Sequence, residues 1–339
     1  MSRGLGDVYK RQGYTSPLNR RYHAQTTACD SCGPRYQLYD ADGNLLKRVN
    51  CIDQAARLLE SNSVLALHGI GGTHLVTKTS DYKPIRVLRE RKNRFQRPFA
   101  IMAKNPDVLL QFSAPTDNEL QLMKTWRRPI VLVKKYAGSS LPQESLEEIS
   151  PGLDTLGVML PYAPLHHLLF DNLNEDALVM TSANPTGVPM YTDPSVITSE
   201  LDGVADYFLL HNRRIHQRAD DSVIKFVGSE NPVFIRRARG YVPEPLGMDH
   251  IHPSTKVVAV GPELKSTGAV LKSKKIYMTQ HIGNTNRVQN IDFLRNSIDH
   301  LMFLLGVDGV DAYACDLHPE FLSTDLAEKL SSEMDVPLY

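Results

Sequence analysis

The sequence concentrates cationic side chains in a segment that could bind phosphate. Residues 86–99, RVLRERKNRFQRPF, hold five arginines and one lysine against a single acidic residue, Glu90. Guanidinium groups pair their N–H donors with phosphate oxygens, so this composition predicts a site for a polyphosphate or an acyl phosphate. A solvated basic helix end, favoured by the helix dipole, is the alternative. Two further groups of arginines favour the phosphate site: Arg213, Arg214 and Arg218, and then Arg236, Arg237 and Arg239.

A second group of polar residues follows an apolar run that is typical of a buried strand. In residues 178–189, LVMTSANPTGVP, Thr181, Ser182 and Asn184 come directly after that run. Loops at the carboxyl ends of strands bind ligands in open α/β sheets, so these side chains could hold a nucleotide phosphate or a carbamoyl group. Serine and asparagine are also common turn formers, and composition alone favours that simpler interpretation. The sequence has no GxxxxGK(S/T) phosphate-binding loop, and its GxGG at residues 69–72 lacks a following helix pattern.

The cysteines indicate a metal site near the amino terminus. Cys29 and Cys32 form a CxxC pair followed by a glycine and a proline, a spacing by which two thiolates bind one Zn²⁺. A closed zinc site needs four ligands, and Cys51 and His23 do not complete a conventional set. We therefore expect half of a zinc site, with the other half upstream. A redox dithiol and two ordinary turn cysteines are the alternatives.

Composition limits the class of protein. The chain has 339 residues, with 38 acidic and 38 basic side chains and 42% hydrophobic residues, enough for about two domains with apolar cores. No apolar run reaches the roughly 18 residues of a membrane-spanning helix, so no membrane role is expected. Four cysteines and the lack of a basic-then-apolar leader predict a cytoplasmic protein. Because the net charge is zero, nucleic-acid binding would depend on local basic clusters.

Periodicity places these motifs on a mixed α/β scaffold. Helices are predicted at 53–61, 85–92, 117–126 and 164–170, and strands at 98–102, 129–133, 177–180, 206–210, 222–227 and 233–237. The proline-rich residues 241–253 predict a linker to a further region with strands at 257–261 and 312–316 and one helix at 288–305. About ninety residues with one long helix predict a poorly closed core, so we expect aggregation or disorder beyond about residue 250.

Six segments resemble, in order, the YrdC-like domain of the hydrogenase-maturation carbamoyltransferases, the HypF family. They are GIGGTHL, LRERKNRFQRPFAIM, GVMLPYAPLHHLLF, LVMTSANPTG, HNRRIHQRADDSV and RRARGYVPEPL. NRRYHAQTTACDSCGP is similar to the end of that family's second zinc finger, and VGPELKSTGAVL, TQHIG and DLHPEFLST are similar to the start of its actin-like domain. The implied fold class is α/β: a YrdC-like mixed, twisted open sheet with flanking helices, preceded by a zinc-finger remnant and followed by an incomplete actin-like (ASKHA) domain.

The resemblance also implies how the chain is divided. Residues 1–13 look like a linker that is not native, and residues 14–47 correspond to the second half of a zinc finger. Residues 48–246 correspond to a YrdC-like domain that binds nucleotide and carbamate. Residues 250–339 correspond to an incomplete actin-like carbamoyltransferase domain.

The family's functional positions correspond to specific residues of this chain. Its KxR and SxN pairs fall on the expected catalytic residues, which are Lys92, Arg94, Ser182 and Asn184. The expected ATP and carbamate ligands are His68, Arg91, Thr181, Arg218, Arg237 and Arg239. His68 departs from the family, which usually has lysine there, and Thr73 replaces a usual aromatic residue. Because histidine is mostly neutral at pH 7, we expect weaker ATP binding.

The implied activity is ATP-dependent adenylation of carbamate derived from carbamoyl phosphate, followed by transfer of the carbamoyl group to the terminal cysteine of a HypE-type carrier protein in nickel–iron hydrogenase maturation. ATP, Mg²⁺ and Zn²⁺ are the implied cofactors, with the zinc site incomplete. His281 and His318 match family motifs, although isolated histidines are more often structural than metal ligands. Two alternatives remain. One is threonylcarbamoyl-adenylate synthesis for tRNA modification, against which the flanking segments argue, and the other is double-stranded RNA binding through the arginines.

Overall fold

The structure is a computed structural model of the chain, and it describes residues 11–24, 33–47, 50–185, 187–228 and 230–339. Residues 11–15 form a short helix. The zinc pair predicted at Cys29 and Cys32 lies outside the described residues, so that prediction remains open.

A large mixed sheet forms the centre of the molecule. Its strands are β1 (Tyr36–Asp40), β2 (Leu65–His68), β3 (Thr73–Lys78), β4 (Ala100–Ala103), β5 (Ser113–Ala114), β6 (Ile130–Lys135), β7 (Thr155–Met159), β8 (Ala177–Ser182), β9 (Tyr207–His211), β10 (Val223–Val227) and β11 (Asn231–Arg236). The order is β1-β9-β2-β3-β8-β4-β7-β6-β10-β11, with β5 beside β6. The pairs β2–β9, β4–β7 and β6–β10 are parallel, and their other neighbours are antiparallel. The mixed α/β class expected from the sequence is confirmed.

Seven helices flank this sheet within the described residues. They are α1 (Cys51–Glu60), α2 (Tyr82–Arg91), α3 (Pro106–Phe112), α4 (Asp117–Lys124), α5 (Gln143–Ile149), α6 (Pro164–Asp171) and α7 (Pro194–Glu200). Polar N-caps start several of them, such as Asp81 at α2 and the Thr116–Glu119 capping box at α4. Helices α1 and α6 bury apolar residues on one sheet face, and the other five pack on the opposite face. One face therefore carries only two helices.

The remaining residues form a second, smaller α/β unit. Its strands are β12 (Leu246–Gly247), β13 (Val257–Ala259), β14 (Ala269–Lys272), β15 (Lys275–Met278) and β16 (Ala312–Ala314), in the order β12-β15-β14-β13-β16, and its helices are α8 (Val288–Leu305) and α9 (Leu322–Met334). Helix α9, which was not predicted, adds Leu326, Ala327 and Leu330 to a core built on Val258 and Leu294. Contrary to the expectation of a poorly closed core, this unit buries a contiguous apolar cluster.

Two strands cross the boundaries expected from the sequence. β1 lies in the segment assigned to the zinc finger, yet it pairs with β9, with Tyr36 opposite His211. β12 lies at the end of the segment assigned to the YrdC-like domain, yet it pairs with β15, with Leu246 opposite Ile276. Across the described ranges, no helix combines the length and apolarity needed to cross a bilayer.

Candidate nucleotide-binding site

The sparsely covered face of the large sheet contains a cavity of about 270 Å³. Two small residues, Ala100 and Gly157, lie side by side in its floor, and Met180 is the neighbour of Ala100 on the other side. Gly157 leaves room in this floor, since a Cβ there would lie 3.2 Å from Ile130 Cγ2, a tight contact. Helices α1 and α6 cover only the neighbouring part of this face, so a shallow depression remains open to a ligand.

Arg94 forms one wall of this cavity. Its Nη1 donates to Thr181 Oγ1 at 3.0 Å and its Nη2 donates to Pro98 O at 2.7 Å. Burial and the nearby Arg97 and Arg89 lower its pKa to about 10, so Arg94 stays charged at neutral pH. Its Nε is buried and has no hydrogen-bond partner among the described residues. Arg94 thus brings together two predicted site residues and keeps one donor for a ligand.

Lys92 holds the loop that follows β8. Helix α2 ends at Arg91, and Lys92 is its C-cap. The Lys92 Nζ donates to Ser182 O at 2.7 Å and to Asn184 O at 2.9 Å. Burial and the Arg94 charge lower the pKa of Lys92 to about 8. Lys92 lines neither of the site's two cavities, so its part in the site is to hold these two carbonyl groups.

The polar pair after β8 lies at two cavities. Ser182 ends β8 opposite His74 in the ladder and lines the 270 Å³ cavity. Asn184 lines a second, larger cavity of about 470 Å³, and its Nδ2 donates to Val188 O. The structure therefore places the KxR and SxN segments in contact, with the serine and the asparagine facing different spaces.

The larger cavity lies between the two α/β units. From the large sheet it receives Arg97, Asn184, Arg218, Asp220 and Arg236, and from the smaller unit Lys265, Gln280, His281, Asn284 and Asn290. Asp220 and Arg236 form an ion pair and line both cavities, so they separate one space from the other. Several cations around one cavity suit a polyphosphate.

A buried contact between a histidine and a carboxylate at the edge of the smaller cavity was not predicted. His74 Nε2 lies 3.1 Å from Asp221 Oδ2, and both residues are almost fully buried. Asp221 Oδ1 accepts from Arg239 Nε at 3.1 Å and Nη2 at 2.7 Å. Although burial opposes ionisation, the His74 hydrogen bond and the Arg239 charge hold the pKa of Asp221 well below its usual range. His74 and Asp221 are 147 positions apart, and each lies in a segment that carries the resemblance, GIGGTHL and HNRRIHQRADDSV.

Arg239 is engaged by the protein itself. Besides Asp221, it donates to Arg127 O at 3.0 Å and Arg128 O at 2.9 Å, and its guanidinium lies 3.6 Å from the Tyr162 ring centroid. Arg239, which was predicted to bind ATP, therefore binds groups of the protein instead.

Three other predicted ligands point elsewhere. His68 is fully buried and stacks on His211, with ring centroids 4.1 Å apart. Burial and His211 lower the pKa of His68 to about 4, so it is neutral at pH 7. Arg91 pairs with Asp206 at 2.8 Å, and Arg237 donates to Glu244 O at 2.7 Å. None of the three lines either cavity among the described residues, whereas Arg218 lines the larger one and donates to Met190 O at 2.7 Å.

Three family models match the chain. The Sua5/YciO/YrdC model, described as "Telomere recombination", matches residues 57–238. The HypF Kae1-like domain matches residues 252–338, and the HypF finger matches residues 11–39.

Curated relatives match over most of the chain. The "Probable carbamoyltransferase HypF" of Methanocaldococcus jannaschii is 43% identical over 302 residues, which cover 89% of this chain and 38% of that protein. The "Carbamoyltransferase HypF" of Rhizobium leguminosarum bv. viciae is 41% identical over 286 residues, which cover 83% of this chain and 36% of that protein. The chain thus spans less than half the length of these relatives.

Two solved structures share the fold. Full-length HypF in its phosphate- and nucleotide-bound form superposes with a TM-score of 0.87 at 34% identity, over 98% of this chain and 42% of that one. T. kodakarensis HypF superposes with a TM-score of 0.90 at 42% identity, over 97% of this chain and 42% of that one. These matches lend no support to the double-stranded RNA-binding alternative.

Proposed function

Because the chain belongs to the HypF carbamoyltransferase family, we propose that its central domain uses ATP to convert carbamate into carbamoyl adenylate. The observation that carries this proposal is the contact between the Lys92–Arg94 segment and the Ser182–Asn184 segment at two adjoining cavities. That arrangement presents fixed cations and a hydroxyl on an open sheet face, which suits phosphoryl chemistry.

In the proposed reaction, a carbamate oxygen attacks the α-phosphorus of ATP. The bond from that phosphorus to the oxygen bridging the β-phosphate breaks, and pyrophosphate leaves with the electron pair. The Arg94 guanidinium, which lines the smaller cavity, stabilises charge on the α-phosphate, Lys92 holds the segment that presents Ser182, and the Ser182 hydroxyl orients the carbamate. The β- and γ-phosphates extend into the larger cavity, where Arg97 and Arg218 bind them.

The proposal includes two metal ions, Mg²⁺ and Zn²⁺, which would bind in different parts of the chain. Among the described residues no group of three or more His, Cys, Asp or Glu side chains forms a metal site. Mg²⁺ would be held mainly by the ATP phosphates, with the Asp220 carboxylate, which lines both cavities, as its protein ligand, and it would offset phosphate charge. The HypF finger match supports Zn²⁺ on Cys29 and Cys32.

The product is passed on in the complete enzyme. We propose that carbamoyl phosphate is the source of the carbamate and that a HypE-type carrier receives the carbamoyl group on its terminal cysteine thiolate. The match of residues 252–338 to the HypF Kae1-like domain supports a role for the smaller unit in that transfer. Because ATP is the co-substrate, the proposed location is the cytoplasm.

The test is pyrophosphate release by the 339-residue chain, supplied with Mg-ATP and ammonium carbamate so that carbamoyl phosphate need not be hydrolysed. We expect release that depends on carbamate. Because the Sua5/YciO/YrdC model matches residues 57–238, threonylcarbamoyl-adenylate synthesis is the second candidate. Release with threonine and bicarbonate, but not with carbamate, would establish that candidate instead, and no release by folded protein would overturn both.

A further inference from the structure

The loop after β8 is held from two sides. Within the described residues, three side chains from outside the loop bind carbonyl oxygens between residues 182 and 190. Lys92 binds Ser182 O and Asn184 O, and Arg218 binds Met190 O; both belong to the large-sheet unit. The third is Asn290, whose Nδ2 donates to Gly187 O at 2.9 Å. Asn290 lies in α8, so the smaller unit supplies part of the support for a loop of the other unit.

The orientation of the Asn290 amide is determined by its neighbours. Its NH₂ group donates to Gly187 O and to Asn284 O, so both donors face carbonyl acceptors. A flipped amide would place its oxygen against two carbonyl oxygens, which would be repulsive. Gly187 itself has φ +79°, a conformation that favours glycine. The hydrogen bond therefore joins two groups whose positions are each well defined.

Asn290 is also packed firmly within the smaller unit. It is 1% exposed, and one turn further along α8 Phe293 and Leu294 lie in the core of the smaller unit. Neighbouring contacts join the same two units: Asp220 N donates to Gln280 Oε1 at 3.1 Å, His281 N donates to Arg237 O at 3.2 Å, and the Arg218 guanidinium lies over the Phe293 ring. A shift of α8 would therefore pull on the loop that carries Ser182 and Asn184.

We propose that Asn290 is a positioning residue for adenylation, which acts from the smaller unit by holding Gly187 and thereby the loop that presents Ser182 and Asn184. This inference rests on the proposed function and deepens it. Adenylation in the large-sheet unit would then depend on the docked smaller unit, because Asn290 belongs to α8 of that unit.

The test compares Asn290→Leu with Gln289→Leu in the 339-residue chain. Leucine keeps the branching and the number of side-chain heavy atoms of asparagine but removes both donors, and Gln289 is an exposed neighbour on the same turn of α8. A second variant, Asn290→Ser, guards against misfolding. With both Asn290 variants folded, we expect the kcat for pyrophosphate release to fall about tenfold, with a smaller change in the KM for ATP, as for loss of one hydrogen bond that orients the reacting groups. Gln289→Leu should match the parent chain.

Hydrogen exchange separates this inference from the proposed function. Without any nucleotide, both Asn290 variants should speed amide exchange at residues 183–191 at least about fivefold, while exchange in β13 and β14 stays unchanged. Unchanged exchange at 183–191 would overturn the positioning role even if the parent chain proves inactive. If the parent chain is active and the Asn290 variants keep its kcat, the role is also overturned, whereas an inactive parent chain with faster loop exchange would refute only the proposed reaction.

Discussion

The cations of this molecule fall into two regions that differ in what surrounds them. Lys92 and Arg239 lie inside the large-sheet unit and line neither cavity of the site, and most of their donors bind carbonyl or carboxylate oxygens of the protein. Arg97 and Lys265 instead line the cavity between the two units. Buried cations with protein partners cost desolvation and are retained where they position backbone, whereas cavity cations are available to a ligand. Cationic residues that look alike in the sequence therefore have two different roles: some hold the protein backbone, and others are available to bind a ligand.

The largest expected effect concerns the buried region. Asp221→Asn removes the charge that Arg239 and His74 share, and it leaves the Arg239 guanidinium buried without its carboxylate partner. We expect a loss of about 3 kcal/mol in the free energy of unfolding, measured by urea denaturation. Asp220→Asn, at the partly exposed pair with Arg236, is the matched control and should cost about 1 kcal/mol or less. Equal losses at the two positions would break the distinction between the regions.

Substitutions at Lys92 and Arg97 test whether a buried cation and a cavity cation affect activity differently. Lys92→Met removes both bonds that hold Ser182 O and Asn184 O, so we expect kcat/KM for pyrophosphate release to fall about 100-fold, mainly in kcat. Arg97→Met removes only a cavity cation, so the KM for ATP should rise about tenfold with kcat nearly unchanged. Near-normal kcat in Lys92→Met would refute its role as the support of the loop.

The pKa of Lys92 predicts opposite responses of activity and stability to pH. Burial lowers this pKa from 10.5 to about 8, so the active ammonium is lost above pH 8 and activity should fall about tenfold per pH unit. The folded pKa lies below the unfolded one, so the folded state binds fewer protons between these values. This group's contribution to stability therefore rises as pH rises from about 8 to 10.5. Activity that declines only together with unfolding would contradict this assignment.

The smallest expected effect is at His68. This residue was expected to lie in the nucleotide pocket, but its ring is buried against His211 away from the linings of both cavities. His68→Gln keeps a neutral polar side chain, so calorimetry should give a Kd for ATP within about twofold of the parent chain. A tenfold weaker Kd would place position 68 in the binding site and extend the ligand-binding region to the end of β2.

The sequence supported the class of fold and the central contact of the site. Helix starts such as Asp81 and Pro164 carry local signals, and the resemblance placed Lys92 and Ser182 together. What the sequence could not supply depends on pairings between distant segments. The contact between His74 and Asp221 arises only when the β2–β3 turn packs on the chain before β10, where Ala219 N donates to Gly71 O at 2.9 Å. A Cβ at residue 71 would lie 2.6 Å from Ala219, so this approach requires glycine.

The sequence pattern also could not predict the roles of the individual arginines. Composition distinguishes arginine from lysine, but it does not say whether a guanidinium faces a ligand or a carbonyl. Arg91 and Arg237 match the family's motifs as well as Arg218 does, yet only Arg218 reaches the larger cavity. Exposure and partners of each side chain decide this, and both follow from tertiary packing.

The pairing of β1 with β9 has a mechanical consequence. β1 is an edge strand of the large sheet, and its Leu38 is buried in the same core as α1 and α6. A chain cut at residue 48 would lose that strand, leave unpaired the backbone donors and acceptors of β9 that face β1, and open a gap in the core; the exposed edge would favour strand-to-strand self-association. The segment matched by the finger model is therefore anchored in the large sheet at its carboxyl end, where Tyr36 lies opposite His211.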